Sequence, residues 1–229
     1  MSGINEGPVL DILTGTRRFR EYYQENQALF DRLATQGQSP KVLFIGCSDS
    51  RVPPEMLTGS GPGELFVLRQ LANIVPPFGT GEMGSGAVIE YAVLRLKVQH
   101  VVVCGHTGCG AIRALEVPPD WAKEPHIARW IEHARPARTK VEASGLPEES
   151  RPLATVRENV LLQLEHLRSY DPVREGERAG ALGLQGWVYH LETGFIEIHD
   201  PRTETWAQVV PKETQRPNAA TGGTITLGS

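Results

Sequence analysis

Two short apolar runs flanked by turn residues frame the chain: Val42-Leu43-Phe44-Ile45-Gly46, and Val101-Val102-Val103-Cys104 within 100–105. A run without alternation predicts a strand buried on both faces, which is the habit of parallel sheets. A third run of this kind covers 65–68. Before the 100–105 run, Val88, Ile89, Ala92, Val93 and Leu96 recur at helical spacing, so the pattern predicts a helix over 85–98. Strand, helix and strand in this order predict a right-handed parallel βαβ unit. Around this unit, Phe19, Tyr22, Tyr23, Leu29, Phe30 and Leu33 predict an amphipathic helix over 17–36. Two further helices are expected over 125–143, kinked or divided at Pro136, and over 153–167. The segment 183–210 alternates apolar and polar residues on either side of Glu192-Thr193-Gly194, the mark of a hairpin. The expected fold class is α/β, a mostly parallel central sheet flanked by helices, with an N-terminal helical extension and a C-terminal hairpin.

Composition narrows the possibilities. The 229 residues are 40% apolar and 22% charged, and a chain of this size can bury roughly 70% of its unfolded surface without disulfides. The three cysteines, Cys47, Cys104 and Cys109, are too few and of the wrong parity for a disulfide framework. Against 27 acidic residues stand 23 basic ones, a net charge of −4, which argues against nucleic acid as a partner. The segment 1–15 carries Glu6 and Asp11 and lacks an apolar core, so a secretory signal is not expected. No apolar stretch reaches the roughly 18 residues of a membrane span. The expected location is a reducing cytoplasm, where clustered Cys and His point to metal or catalysis.

Such a cluster follows the first and third apolar runs. After one comes Cys47-Ser48-Asp49-Ser50-Arg51, and after the other His106-Thr107-Gly108-Cys109-Gly110. In open α/β sheets ligands gather beyond the carboxyl ends of strands. Two thiolates and an imidazole fill three tetrahedral positions of Zn²⁺ and leave the fourth for water. Two other readings stand beside this one: a closed structural site with Asp49 as fourth ligand, and a buried apolar Cys47 beside a satisfied His106. Cys104 lies inside its strand, with alternation turning it away from the loop, and is expected to be an inert core thiol. Asp49 and Arg51 form either an ordinary loop ion pair or a carboxylate kept ionised for hydrogen bonding by a guanidinium fork.

The motifs CSDSR, PGELFVLR, ANIVPP, SGAVIEYAVLRLKV and VVVCGHTGCGA, in this order, resemble the β-class carbonic anhydrases over about 17–210. The resemblance implies reversible hydration of CO₂ to bicarbonate and one Zn²⁺ per chain. Cys47, His106 and Cys109 are the implied ligands, and an Asp49–Arg51 dyad orients the metal-activated water. A closed state in which Asp49 joins the metal ligands is also implied. Gln38 matches a residue of the plant-type branch that reaches substrate in the neighbouring subunit. Phe66, Leu71 and Tyr91 match that branch's apolar pocket, so a homodimer or higher homo-oligomer is expected.

Phe44 stands where the bicarbonate-regulated branch has tryptophan, and Gln70 and Ala111 depart from the family's usual asparagine and glycine. Two anionic ligands imply activity that rises above neutral pH. The resemblance thus divides the chain into a helical arm (1–36), a zinc-binding catalytic domain (37–210) and a flexible tail (211–229), located in cytoplasm or within a carboxysome-like compartment. The rival readings are a carbonyl sulfide or carbon disulfide hydrolase on the same scaffold and a catalytically silent zinc-stabilised protein. A thiol redox or phosphatase enzyme is disfavoured, because there is no C-x-x-C pair and the C-x₃-R spacing is too tight for a phosphate loop.

Overall fold

The computed structural model describes residues 7–116 and 120–209, with side chains from residue 12. Its centre is a six-stranded sheet in the order β2-β1-β3-β4-β5-β6. The strands are β1 (Val42–Cys47), β2 (Leu65–Gln70), β3 (His100–His106), β4 (Gly183–Tyr189), β5 (Ile196–Asp200) and β6 (Thr205–Gln208). The first four pair in parallel, and β4, β5 and β6 follow as an antiparallel meander. All of β3 except His100 and all of β1 except Val42 are buried, as their unbroken apolar runs predict.

The helices in chain order are α1 (Gly7–Glu25), α2 (Gln27–Gln36), α3 (Pro54–Thr58), α4 (Met83–Glu90) and α5 (Gly110–Arg113). They are followed by α6 (Pro125–Ile131), α7 (Arg135–Ala143), α8 (Arg151–Arg168) and α9 (Asp171–Arg178). Helix α8 supplies Val156, Val160, Leu164 and Leu167 to the main core, which also takes Leu43, Ile45, Val101 and Val103 from one sheet face. Phe44, Val102 and Cys104 alternate to the other face, where Phe44 meets Trp187 edge-on at 6.2 Å between ring centres.

Several boundaries differ from the sequence pattern for local reasons. The helix expected over 17–36 begins at Gly7 and breaks at Asn26, whose side-chain amide donates to the Tyr22 carbonyl (2.9 Å). Asparagine competes in this way with the helix's own hydrogen bonds. Phe19, Tyr22 and Tyr23 of α1 then close onto Phe30 of α2. The 85–98 helix starts at Met83, widens into a π-helical turn over Tyr91–Leu96 and ends at Lys97, which has φ 55°. The 125–143 helix divides at a 3₁₀ turn, Glu132–Ala134, and Pro136 falls in the first turn of α7, where its missing N–H costs nothing. Helix α9 and strand β6 were not separate elements in the pattern. The flexible tail expected over 211–229 lies outside the described residues. Among the described residues, no helix is long and apolar enough to cross a membrane.

Candidate metal centre

Parallel pairing of β1 with β3 brings two loaded strand ends side by side. Cys47 closes β1, His106 closes β3, and Cys109 stands at the start of α5 three residues later. All three are buried, and their ligand atoms lie within 4.8 Å of one another. The two sulfurs are 4.0 Å apart. That is far beyond the roughly 2.05 Å of a disulfide and near the about 3.8 Å of two sulfurs each about 2.3 Å from a tetrahedral zinc.

The hydrogen bonding of His106 fixes what it offers. Its Nδ1 lies 2.9 Å from the Thr107 carbonyl, which can only accept, so Nδ1 carries the proton and Nε2 the lone pair. Nε2 is buried and has no hydrogen-bond partner among the described residues. Such an orphaned lone pair costs about 1–3 kcal/mol unless something binds it, and a cation held with Cys47 and Cys109 removes that cost.

The sulfurs show the same need. Cys47 is pushed down to about 4, first by its contact with the Cys109 thiol, with the Asp49 backbone N–H (3.5 Å) adding to this against burial. Cys109 is pushed up, first by Cys47 and then by burial. One proton leaves the pair easily and the second is retained, because two adjacent buried thiolates repel. A divalent cation relieves that repulsion, and a Cys₂His donor set suits zinc.

Asp49 faces this group without being one of its three members. Its Oδ1 accepts from the Arg51 backbone N–H (3.0 Å) and from Arg51 Nε (2.9 Å), and its Oδ2 accepts from Arg51 Nη2 (2.7 Å). Oδ2 also lies 3.9 Å from His106 Nε2. The Arg51 hydrogen bonds, more than any other cause, hold the Asp49 carboxyl well below the usual carboxylate range. Arg51 Nη2 reaches the Gly108 carbonyl as well (3.4 Å), so one guanidinium ties the two loops together.

Arg69, which sequence reasoning did not single out, braces the same turn from β2. Its Nε donates to the Cys47 carbonyl (3.0 Å) and its Nη2 to the Asp49 carbonyl (2.5 Å). Its place opposite Gly46, next to Cys47, becomes visible only once β1 and β2 pair. On the other side, Thr107 Oγ1 donates to Glu192 (2.7 Å) and accepts the Leu191 N–H (3.0 Å), which fastens the β4–β5 turn to the histidine loop.

Phe66 and Tyr91 lie together, with ring centres 5.8 Å apart. Tyr91 is 48% exposed and Leu71 40%, so this apolar wall is open in the single chain. Gln38 is exposed before β1, and its side chain makes no hydrogen bond to another described residue. Gln70, the departure from the family's usual asparagine, exchanges hydrogen bonds with the buried Ser85 of α4 (2.9 and 3.0 Å). Cys104 is fully buried away from the cluster, and burial pushes its thiol up to about 12. It is the inert thiol that its place in the strand implies.

The comparisons agree with this geometry. The family model described as carbonic anhydrase matches residues 42–196. A carbonic anhydrase of Pseudomonas aeruginosa is 46% identical over 192 residues, covering 83% of this chain and 87% of the relative. One from Synechococcus elongatus is 43% identical over 189 residues, covering 81% of this chain and 69% of the relative. Among solved structures, the β-carbonic anhydrase CcaA superposes with a TM-score of 0.84 at 35% identity, covering 90% of this chain and 94% of that one. A structure from a study of two tetrameric β-carbonic anhydrases of Sordaria macrospora superposes with a TM-score of 0.74 at 31% identity, covering 84% and 97%.

Proposed function

This chain belongs to the β-class carbonic anhydrases, and on that premise we propose that Cys47, His106 and Cys109 hold one zinc ion while Asp49 and Arg51 direct CO₂ hydration beside it. The observation that carries the reading is the buried, unpartnered Nε2 of His106 between two free thiols. Zinc there supplies Lewis acidity that makes water a nucleophile near neutral pH, and two anionic sulfurs set the pH at which this happens higher than neutral imidazoles would.

The protein's own groups do the rest. With both carboxylate oxygens fixed by Arg51, Asp49 stays ionised and can only accept a hydrogen bond. It therefore turns the hydrogen of the reacting water toward itself and the oxygen lone pair toward substrate. Phe66, Leu71 and Tyr91 offer an apolar seat for linear, uncharged CO₂. Gln38 completes that seat from a second copy of the chain, in keeping with the open wall around Tyr91 and with the tetrameric Sordaria relatives. The active form is accordingly a homo-oligomer, and we place it in the cytoplasm.

Two variants test the assignment. Cys47→Ala is expected to lose zinc and hydration together. Arg51→Ala is expected to keep one zinc per chain and lose most of the rate, since no other described residue hydrogen-bonds both oxygens of Asp49. Full activity of Arg51→Ala in stopped-flow hydration would remove the dyad from the mechanism.

A further inference from the structure

The carbonyl that meets His106 Nδ1 belongs to Thr107 (2.9 Å), and the rest of that residue is held from β4 and the turn that follows it. The Thr107 N–H donates to the Tyr189 carbonyl (3.0 Å), which carries the β3–β4 pairing one residue past His106. Its hydroxyl donates to Glu192 Oε2 (2.7 Å) and accepts the Leu191 N–H (3.0 Å). A hydroxyl has one proton to give, so donation to Glu192 leaves its lone pairs for Leu191. The nitrogen of Thr107 and both roles of its hydroxyl are thereby committed to one end of the β4–β5 hairpin.

That end is closed on itself. The N–H groups of Gly194 and Thr193 both reach the His190 carbonyl (2.8 and 3.3 Å), and the His190 N–H donates to the Phe195 carbonyl (2.8 Å). The histidine loop has no such bracing of its own on the far side of Thr107. Gly108 follows with φ 64°, and glycine has the freest backbone of any residue. The peptide group between them, whose oxygen meets the imidazole, therefore takes its support from the Thr107 side.

We propose that Thr107 and Glu192 are positioning residues for His106: they hold the Thr107 carbonyl against Nδ1, so that the β4–β5 turn fixes the ring and aims the lone pair of Nε2. The proposal rests on the reading of His106 as a zinc ligand. An acceptor on the second nitrogen fixes a ligating histidine's tautomer and orientation, and losing it costs about 10- to 100-fold in metal affinity. Here the carbonyl stays and its support is removed, so the lower end of that range applies.

The test uses the full-length, metal-loaded protein and two readouts. One is release of zinc to a chelator. The other is solvent exchange of the His106 Nδ1 proton in ¹⁵N-histidine-labelled, ¹¹³Cd-substituted protein, where coupling of Nε2 to the metal identifies the residue. Thr107→Val keeps the branched shape without the hydroxyl; it is expected to release zinc about tenfold faster and to speed the proton exchange. Glu192→Ala should move both by less, because the Thr107 oxygen can still accept the Leu191 N–H. Glu192→Gln keeps an acceptor for the hydroxyl and should match the wild type. Thr193→Ala, which removes a hydrogen bond from the Phe195 N–H within the same turn (3.4 Å), should move neither.

Wild-type release and exchange in Thr107→Val, Glu192→Gln as fast as Glu192→Ala, or an equal shift in Thr193→Ala would overturn the proposal. If Thr107→Val does not fold, Glu192→Ala decides alone, since that side chain is exposed and its loss leaves the core intact; wild-type values there would overturn the proposal equally. A wild type that binds no metal would sink the zinc reading and this one together, whereas metal binding with unshifted variants would sink this one alone.

Discussion

Gly105 is the point at which α8 meets the strand that ends in His106, and Gly105→Ala is the most direct probe of how closely they must approach. An added Cβ would stand 2.8 Å from Val160 Cγ2 and 3.1 Å from Val156 Cγ1. Carbon atoms prefer about 3.5–4.0 Å, so the helix must retreat by roughly 0.7 Å or Val160 must leave its rotamer. Valine in a helix has one strongly favoured χ1, and Val160 Cγ1 is already 2.9 Å from where a Cβ on Gly186 would sit, so there is little room to turn.

Overpacking of this kind costs about 1–3 kcal/mol. At about 2–4 °C per kcal/mol for a chain of this size, the melting temperature should fall by about 2–12 °C. Val160→Ala alone should cost about 2–3 kcal/mol for two deleted methyl groups. In the double variant the new methyl group occupies part of the emptied space, so its cost should fall short of the sum by at least about 1 kcal/mol. The assay is urea unfolding of the four zinc-loaded proteins at one fixed concentration, since assembly shifts apparent stability. Costs that add within about 0.5 kcal/mol would refute the contact as the reason for glycine at this position.

Three further outcomes follow from the same geometry. Burial, more than any other cause, lowers the pKa of His166, so the unfolded chain binds the proton more readily. Stability should fall as pH drops below about 6.5 and level off below the folded-state pKa; His166→Gln should flatten this slope in melts from pH 5.5 to 7.5, and an unchanged slope would contradict it. Cys104→Ala should cost about 1 kcal/mol for the lost sulfur contacts and leave zinc stoichiometry and hydration intact, whereas loss of zinc would mean that Cys104 is no spectator. Leu94, 46% exposed on the π-helical turn that carries Tyr91, should lie near the contact with a second copy. Leu94→Glu should lower the assembly's mass in light scattering and the hydration rate with it, and an unchanged mass would place the interface elsewhere.

What could be read from the chain followed burial. Strands β1 and β3 are covered on both faces, so their apolar runs are unbroken, and the chemistry sits where those runs stop. The cluster of Cys47, His106 and Cys109 was legible for that reason, and Asp49 and Arg51 because two residues in one turn can pair without tertiary help. Helix α9 escaped notice because it buries only Val173 among charged neighbours. Asn159 and Gln163, buried in α8, escaped because a polar residue in a helix reads as solvent-facing, and only the folded chain shows the carbonyl of Ala72 opposite Asn159. Arg69 acts on backbone carbonyls of another strand, which no spacing rule reveals. The pocket role of Phe66, Leu71 and Tyr91 came from family resemblance, since their apolar pattern alone would suit any core.

The Cys47, His106 and Cys109 group is proposed to hold the zinc at which CO₂ is hydrated. Stopped-flow CO₂ hydration between pH 7 and 9, with zinc determined on the same sample, tests it most directly. One zinc per chain is expected, with a rate that rises with pH above neutrality. A protein free of zinc that does not hydrate CO₂, or one that hydrates it at full rate with its zinc removed, would contradict it.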